Sequence, residues 1–300
     1  MPESGEPPAA PDLPMLTLLF DGIAYGMLLF VLAVGLAVTL GLMNFINLAH
    51  GAFAMAGGYV TVLLMNRLGV PFLACLPIAF VTTAALGALL ERTLYRPMYA
   101  KPHLDQVLFS IGLVFMAVTA VDYIVGSMQQ NIHLPAWLQG RFAIEWVGIG
   151  KYRLFIIVVC GLLTVALQWV LSRTRFGSRL RASVDDPRVA GGLGLDVNRI
   201  FLLTFAVGSG LAGLGGALGA EVLGLDPTFP LKFMIYFLIV VSVGGTTTIT
   251  GPLLAALLLG IADVAGKYYV PKLGAFIVYS LMIVILMLRP QGLFARATSR

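Results

Sequence analysis

The chain carries little charge for its length. Charged residues make up 11% of its 300 residues and hydrophobic residues 59%, whereas a soluble domain carries about 25% charged residues. So little polar side chain cannot cover the surface of a water-soluble globule. The composition therefore excludes a soluble domain and predicts a polytopic membrane protein. The net charge of +5 is too thinly spread to indicate a nucleic-acid partner,.

Residues that carry redox or metal chemistry are also scarce. The two cysteines, Cys75 and Cys160, both lie inside apolar runs, which excludes a disulfide framework. The three histidines, His50, His103 and His133, fall in different segments without metal-ligand spacing,. Because no acid, base or metal cluster can be assembled at membrane depth, an intramembrane enzyme is the weakest functional hypothesis.

Two motifs of soluble enzymes occur in the wrong context. Residues 208–213 spell a dinucleotide fingerprint, but they lie inside an apolar helix with no preceding strand,. Residues 260–268 resemble a phosphate loop, but Tyr268 stands where Ser or Thr binds magnesium,. We therefore expect no cofactor and no ATPase site in this chain. The small residues have instead the spacing that lets transmembrane helices pack closely: Gly210, Gly213, Gly216 and Ala220,.

Long apolar runs dominate the sequence. A bilayer core of about 30 Å needs roughly 20 apolar residues in a helix. The clear runs are 15–43, 72–90, 107–125, 154–171, 200–220 and 273–288; the shorter runs are 52–64 and the interrupted 233–263. We predict an all-α, polytopic transmembrane helical bundle over residues 15–294, with about eight membrane segments and two helix breaks. Residues 1–14 and 295–300 are short tails.

Basic residues predict the orientation. Twelve of the 19 Lys and Arg residues fall in the loops 91–104 and 172–199 and in the C-terminal tail, and such loops are cytoplasmic. The N-terminal tail, which has acidic but no basic residues, is then outside. It lacks the basic region of a secretory signal, so we expect the first apolar run to remain in the mature protein.

The interrupted segment must dip into the membrane and return, because both of its flanks fall outside. Its arms, 233–243 and 253–262, are about 15 Å long and reach halfway. This predicts a re-entrant or broken helix, and residues 44–51 form a similar break in the first half. Paired breaks of this kind point to a translocation path.

Polar side chains gather at both breaks: Asn44, Asn47 and His50 at the first, and Thr246, Thr247, Thr248 and Thr250 at the second. These side chains either line a polar path for a small solute or satisfy the backbone groups that an interrupted helix exposes. Both interpretations stay open from the residues alone. The acids Asp21, Asp122, Glu221 and Asp263 lie near predicted helix ends, where solvation or a basic neighbour accounts for them.

The loop 172–199 carries the most specific local pattern. Asp186 before Pro187 is typical of a helix N-terminus, and glycines at 191, 192 and 194 end the short helix it predicts,. Such a capped helix fits a docking element for a cytoplasmic partner. A basic loop that holds anionic membrane lipid fits equally well.

At these places the sequence resembles the permease subunits of branched-chain amino acid ABC importers, specifically the H-type subunit of the leucine/isoleucine/valine system. The first signature runs from Gly35 to Tyr59 through Asn44–Phe45–Ile46–Asn47–Leu48–Ala49–His50–Gly51. The loop resembles the segment that faces the ATPase, at Arg175, Gly177, Arg181, Ala182, Asp185, Asp186, Ala190 and Gly194. The end 288–294 also matches. The second break departs from the family, because threonine replaces a glycine between Gly245 and Gly251.

The resemblance implies an assembly in the bacterial inner membrane. Its parts are a second related permease, two cytoplasmic ATPases that hold ATP and magnesium, and a periplasmic solute-binding protein. The solute is then a branched-chain or related amino acid, although another amino acid, an amide, urea or an aromatic acid stays open. The alternative is a stand-alone channel or ion-coupled carrier for a small polar solute.

Overall fold

The computed structural model describes residues 14–43, 45–144, 147–245, 248–289 and 292. Its helices are α1 (Pro14–Met43), α2 (His50–Leu68), α3 (Phe72–Leu90), α4 (His103–Val125), α5 (Lys151–Arg173), α6 (Arg175–Asp185), α7 (Pro187–Gly192), α8 (Val197–Leu223), α9 (Phe229–Gly244), α10 (Thr250–Tyr269) and α11 (Gly274–Leu288). A π-helical turn (Glu91–Tyr95) extends α3, and two short strands, β1 (Arg141–Ile144) and β2 (Val147–Gly150), precede α5.

The prediction of an all-α polytopic bundle is confirmed. Six of the described helices, α1, α3, α4, α5, α8 and α10, are long and apolar enough to cross a membrane, and α9 and α11 are shorter apolar helices. The predicted run 72–90 coincides with α3. The predicted breaks fall at the α1–α2 and α9–α10 junctions, although α2 already begins at His50 and α10 at Thr250. The count of about eight segments stays a prediction.

Helices α1 and α8 lie at the centre of the bundle. Of their most apolar stretches, 83% and 72% are buried, against 11% in α4 and in α5, so α4 and α5 lie at the periphery. α8 packs against α1, α2 and α3. A Cβ atom at position 213 would lie 2.1 Å from Thr83 Oγ1, and one at 216 would lie 1.8 Å from the Ala54 carbonyl oxygen. Only glycine permits this approach.

Helix α1 has a second close neighbour in α10. A Cβ atom at position 260 would lie 2.4 Å from the Gly26 nitrogen, and one at position 26 would lie 2.8 Å from the Ala256 carbonyl oxygen. On the other side of α1, a Cβ atom at position 35 would lie 2.5 Å from the Gly208 carbonyl oxygen of α8, so α1 packs closely against both α8 and α10. Such contacts replace the hydrophobic driving force that lipid does not supply.

The interrupted segment differs from its prediction in length. α9 has 16 residues and α10 has 20, so the arms are about 24 Å and 30 Å long at 1.5 Å per residue. They do not stop halfway, as arms of ten or eleven residues would. The prediction undercounted because it ended each arm at charged or small residues that the helices include, such as Lys232 and Asp263.

Two faces of the bundle are distinguished by their loops. The hairpin face holds the antiparallel pair β1–β2, in which Arg141 pairs with Gly150, together with the end of α8. There Gln130 N–H donates to the Leu225 carbonyl at 2.7 Å. The strands were not predicted, because four-residue strands carry too little alternation to stand out. The opposite face holds the π-helical turn, α6 and α7. We call it the coupling face, and residues 172–199 the coupling loop, after the predicted contact of this loop with an ATPase.

We predict that Gly216→Ala destabilises the protein by about 1–3 kcal/mol, the usual cost of overpacking. The added methyl must displace the Ala54 backbone. The matched control is Gly112→Ala in α4, where a Cβ atom meets nothing within 4 Å. Thermal unfolding in detergent should show a lower melting temperature for the first variant only. Equal melting temperatures would contradict the central role of this contact.

Candidate functional site

The first break packs against the π-helical turn and the start of α4. Asn44 lies outside the described residues. The ring of Phe45 meets Tyr95 edge-on, with centroids 5.5 Å apart, and Ile46 N–H donates to Gln106 Oε1 at 3.2 Å. Tyr95 Oη donates to Asn47 Oδ1 at 3.2 Å, in a buried contact. A side chain of α4 thus satisfies the Ile46 amide of the break, and the π-helical turn holds the Asn47 side chain.

His50 begins α2 and ties the break to two other helices. Its Nε2 lies 3.0 Å from the Leu32 carbonyl oxygen in α1, and its ring stands edge-on to Phe237 of α9 with centroids 6.4 Å apart. The side chain is only 2% exposed. Asn47 Oδ1 and His50 Nε2 therefore have structural partners, whereas the buried Asn47 Nδ2 has none among the described residues. The role of both residues in a solute path stays a prediction.

The second break lies at the start of α10. Thr246 and Thr247 lie outside the described residues. Thr248 Oγ1 accepts from Gly251 N–H at 3.3 Å and from Thr250 Oγ1 at 3.3 Å, which caps the first turn of α10. Gly292, with φ +90°, closes on this break: a Cβ atom there would lie 2.8 Å from the Gly245 nitrogen.

The predicted coupling loop folds into two helices fixed to the end of α5. A Cβ atom at Gly177 would lie 2.1 Å from the Leu171 carbonyl oxygen, and Arg181 Nη1 donates to the same oxygen at 2.5 Å. Thr174 Oγ1 accepts from Gly177 N–H at 3.4 Å and so caps α6. The junction between α5 and α6 is therefore held by a close backbone contact and by two hydrogen bonds.

The predicted short helix is present as α7. Asp186 Oδ1 accepts from Arg188 N–H at 2.9 Å and from Val189 N–H at 3.0 Å, and Gly194 has φ +84° after the helix ends. The sequence did not predict α6. Of the predicted loop residues, Gly177 and Ala190 are buried, whereas the others are exposed: Arg175, Arg181, Ala182, Asp185, Asp186 and Gly194.

The structure brings the coupling loop and the second break together. A cavity of about 210 Å³ is lined by Gly177, Leu180 and Arg181 from α6 and by Thr248 and Ile249 from the break. This shared lining was not predicted from the sequence, because the two segments are about 70 residues apart. The cavity places α6 beside the start of α10.

Several polar residues near the first break were not predicted from the sequence. Gln106 also donates from Nε2 to the Lys101 carbonyl at 3.1 Å. Glu91 is fully buried and accepts from Tyr99 Oη at 3.2 Å, with Arg96 Nε 3.7 Å away. The sequence shows only that Gln106 and Glu91 lie next to apolar runs. That position marks them as polar residues near the membrane but does not reveal their hydrogen-bond partners.

The helices, the breaks and the coupling loop together form a helical bundle of membrane type, with the exposed α6–α7 segment attached to the end of α5. Residues 18–286 match the family described as "Branched-chain amino acid transport system / permease component". The chain belongs to this permease family. The resemblance to the H-type subunit is confirmed by its curated relatives.

The relatives align along nearly the whole permease. It is 28% identical to the high-affinity branched-chain amino acid transport system permease protein BraD of Pseudomonas aeruginosa, over 93% of this chain and 95% of BraD. It is 27% identical to LivH of Escherichia coli, over 93% of this chain and 94% of LivH. The permease protein LivM of Escherichia coli is 27% identical, over 89% of this chain and 68% of LivM. No solved structure matches the permease.

We predict that Gly177→Ala loosens the corner between α5 and α6. The methyl group cannot fit against the Leu171 carbonyl, so α6 must shift and its amides should exchange faster with solvent. Hydrogen exchange of residues 175–185 is the measurement. Gly191→Ala is the control, because a Cβ atom there meets nothing within 4 Å. Unchanged exchange in the Gly177 variant would show that α6 is not held by this contact.

Proposed function

We propose that the chain is a transmembrane permease subunit of an ATP-binding cassette importer. It translocates branched-chain or related amino acids across the inner membrane, using ATP hydrolysed by separate subunits. The family match and the printed names of the relatives support the solute class. The observation that carries the importer role is the exposed α6–α7 segment, which is locked to α5 by Gly177 and Arg181.

The proposed partners follow from the same assignment. They are a second related permease, two cytoplasmic ATPases that bind ATP and magnesium, and a periplasmic solute-binding protein. Similarity to both LivH and LivM supports a pair of related permeases. Membrane lipid covers apolar surface at the periphery, where Leu162 and Val165 of α5 are more than half exposed.

In the proposed mechanism, the ATPases move the coupling segment. Closure of the ATPase pair pushes on α6 and α7. The push passes through Gly177 to the end of α5 and across the shared cavity to Thr248 and Ile249. ATP then biases two conformations, because the ATPases contact the coupling face differently in each. Solute passes beside the two breaks, where Asn44, Asn47 and His50 and the threonines lie.

The experiment that tests the proposed function is affinity purification of the tagged chain from its own membrane in mild detergent. Recovery of a second permease and of ATPases with phosphate loops would support the importer. Isolation of the chain alone, with solute flux into liposomes in the absence of ATP, would overturn it and favour a stand-alone channel or ion-coupled carrier.

The proposed orientation predicts a labelling pattern. Gln139→Cys on the hairpin face should react with a membrane-impermeant maleimide in intact cells, and Arg188→Cys on α7 only after permeabilisation. The native Cys75 and Cys160 are fully buried and give little background. The reverse pattern would place the C-terminus outside and the coupling face away from the cytoplasm.

We predict that Asp186→Ala lowers ATP-driven leucine uptake by cells that express the whole assembly, while the subunits still co-purify. Loss of the cap costs α7 about 1 kcal/mol and frays the docking element. Asp186→Asn keeps a capping oxygen and should retain most uptake. Arg181→Gln, which loses the charged bond to Leu171, should behave like Asp186→Ala. Normal uptake by Asp186→Ala would overturn the docking assignment.

A further inference from the structure

A second cavity lies between α1, α5, α9, α10 and the end of α8, toward the hairpin face. Its volume is about 420 Å³. Two carboxylates, Asp21 and Asp263, and three cations, Arg153, Lys232 and Lys267, line it. Both signs of charge thus meet in a space that the coupling mechanism does not use.

The charges of this cavity are arranged in pairs. Arg153 forms an ion pair with Asp21, and Lys267 Nζ lies 2.5 Å from Asp263 Oδ2. These basic neighbours are the ones that the sequence led us to expect for acids near helix ends. Asp263 is nevertheless only 1% exposed, and Tyr236 Oη is its second donor at 3.4 Å. A buried carboxylate in a membrane helix is expensive, which indicates a functional role.

Lys232 is anchored at the rim of the cavity by the loop that joins α8 to α9. It forms an ion pair with Asp226. Burial would raise the pKa of the Asp226 carboxyl, but hydrogen bonds from Lys232 and Thr228 hold it below its usual value. Asp226 therefore stays ionised near neutral pH. The side chains of Lys232 and Lys267 remain 56% exposed, so both ammonium groups can reach a solute.

The rest of the lining is apolar and aromatic. Leu28, Phe233 and Val264 line the cavity together with the charged groups. Lys267 Nζ lies 5.7 Å from the centroid of the Tyr25 ring, a cation–π contact,. The cavity therefore offers aliphatic and aromatic contacts beside paired charges.

We propose that this cavity is a binding site for a zwitterionic amino acid with an aliphatic side chain. When such a solute binds, one ion pair of the protein opens, its carboxylate pairs with the ammonium group of the solute, and its cation pairs with the carboxylate of the solute. One ion pair is thus replaced by two, and the net charge of the site is unchanged. An organic anion or cation alone would leave one member of a pair without its partner, which is costly at low dielectric. The side chain would pack on Leu28, Phe233 and Val264. The proposal deepens the proposed function, on which it rests for the identity of the solute.

The cavity lies close enough to the first break for a solute to bind there before it enters the proposed path. Leu28 lines the cavity, and Leu32, one helical turn further along α1, holds His50 through its carbonyl oxygen. One turn is about 5.4 Å. A solute held against Leu28 is therefore one turn from the proposed path.

The test is saturation-transfer NMR on the purified assembly in detergent, without nucleotide or binding protein. Three probes share an aliphatic chain: leucine, 4-methylpentanoate, which lacks the ammonium group, and 3-methylbutylamine, which lacks the carboxylate. We expect leucine to bind at least about tenfold more tightly than either, the effect of losing one charged hydrogen bond. Equal binding of all three would overturn the proposal.

Variants of the lining residues test whether leucine binds in this cavity. Asp263→Asn and Lys267→Gln should each weaken leucine binding by about tenfold. Lys272→Gln, an exposed cation that follows α10, should leave it unchanged. Val264→Phe fills the cavity without altering charge and should abolish binding, so the test does not depend on the charge variants assembling. Leucine binding that survives Val264→Phe at full strength would overturn the proposal.

The two proposals fail in different measurements. The binding assay needs no ATP hydrolysis and is read by NMR, whereas the importer assignment is read from the subunits that co-purify. If the chain purifies alone and still prefers leucine to the two analogues, the importer is overturned and the binding site is supported. If ATPases co-purify but the assembly does not prefer leucine, the importer is supported and the binding site is overturned.

Discussion

The rest of the structure depends on how closely α8 approaches its neighbours. In lipid, apolar helices gain little from hydrophobic burial against each other, so backbone proximity and dispersion must hold them together. Gly213 and Gly216 bring α8 against Thr83 and Ala54, where a Cβ atom would fit only by displacing backbone or side chain. Because α1, α2 and α3 all meet α8, its glycines fix how closely the two helices that flank the first break, α1 and α2, approach the centre of the bundle.

The lipid environment also determines how the two helix breaks are built. A helix interrupted inside lipid leaves amide and carbonyl groups without partners, and these must be satisfied by protein. Gln106 serves Ile46 at the first break, and Thr248 serves Gly251 at the second. The polar residues observed there therefore have a structural task whether or not they also contact a solute. A polar residue at a break is weak evidence of a path on its own.

The sequence predicted the helices better than their contacts. Apolar length identifies α3 to the residue, because lipid requires a continuous run, and Asp186–Pro187 identifies α7 through local capping. α6 was missed because its apolar residues, such as Leu180, are few among arginines. The cavity lined by Asp21 and Asp263 was also missed. Asp263 and Arg153 are about 110 residues apart, and only the packing of α5 and α10 on α1 brings their side chains to one space.

Helix α5 connects the two ends of the molecule. It begins beside Arg153, which is paired with Asp21 of α1, and it ends at the Gly177 corner with α6. Since only 11% of its most apolar stretch is buried, it can tilt at a lower cost than α8. In the proposed mechanism, a displacement of α6 by the ATPases would move the far end of α5 and alter the Arg153–Asp21 pair. The charge pattern of the cavity lined by Asp21 and Asp263 would then depend on the state of the coupling face, and this dependence would be the coupling between two sites that the proposed importer needs.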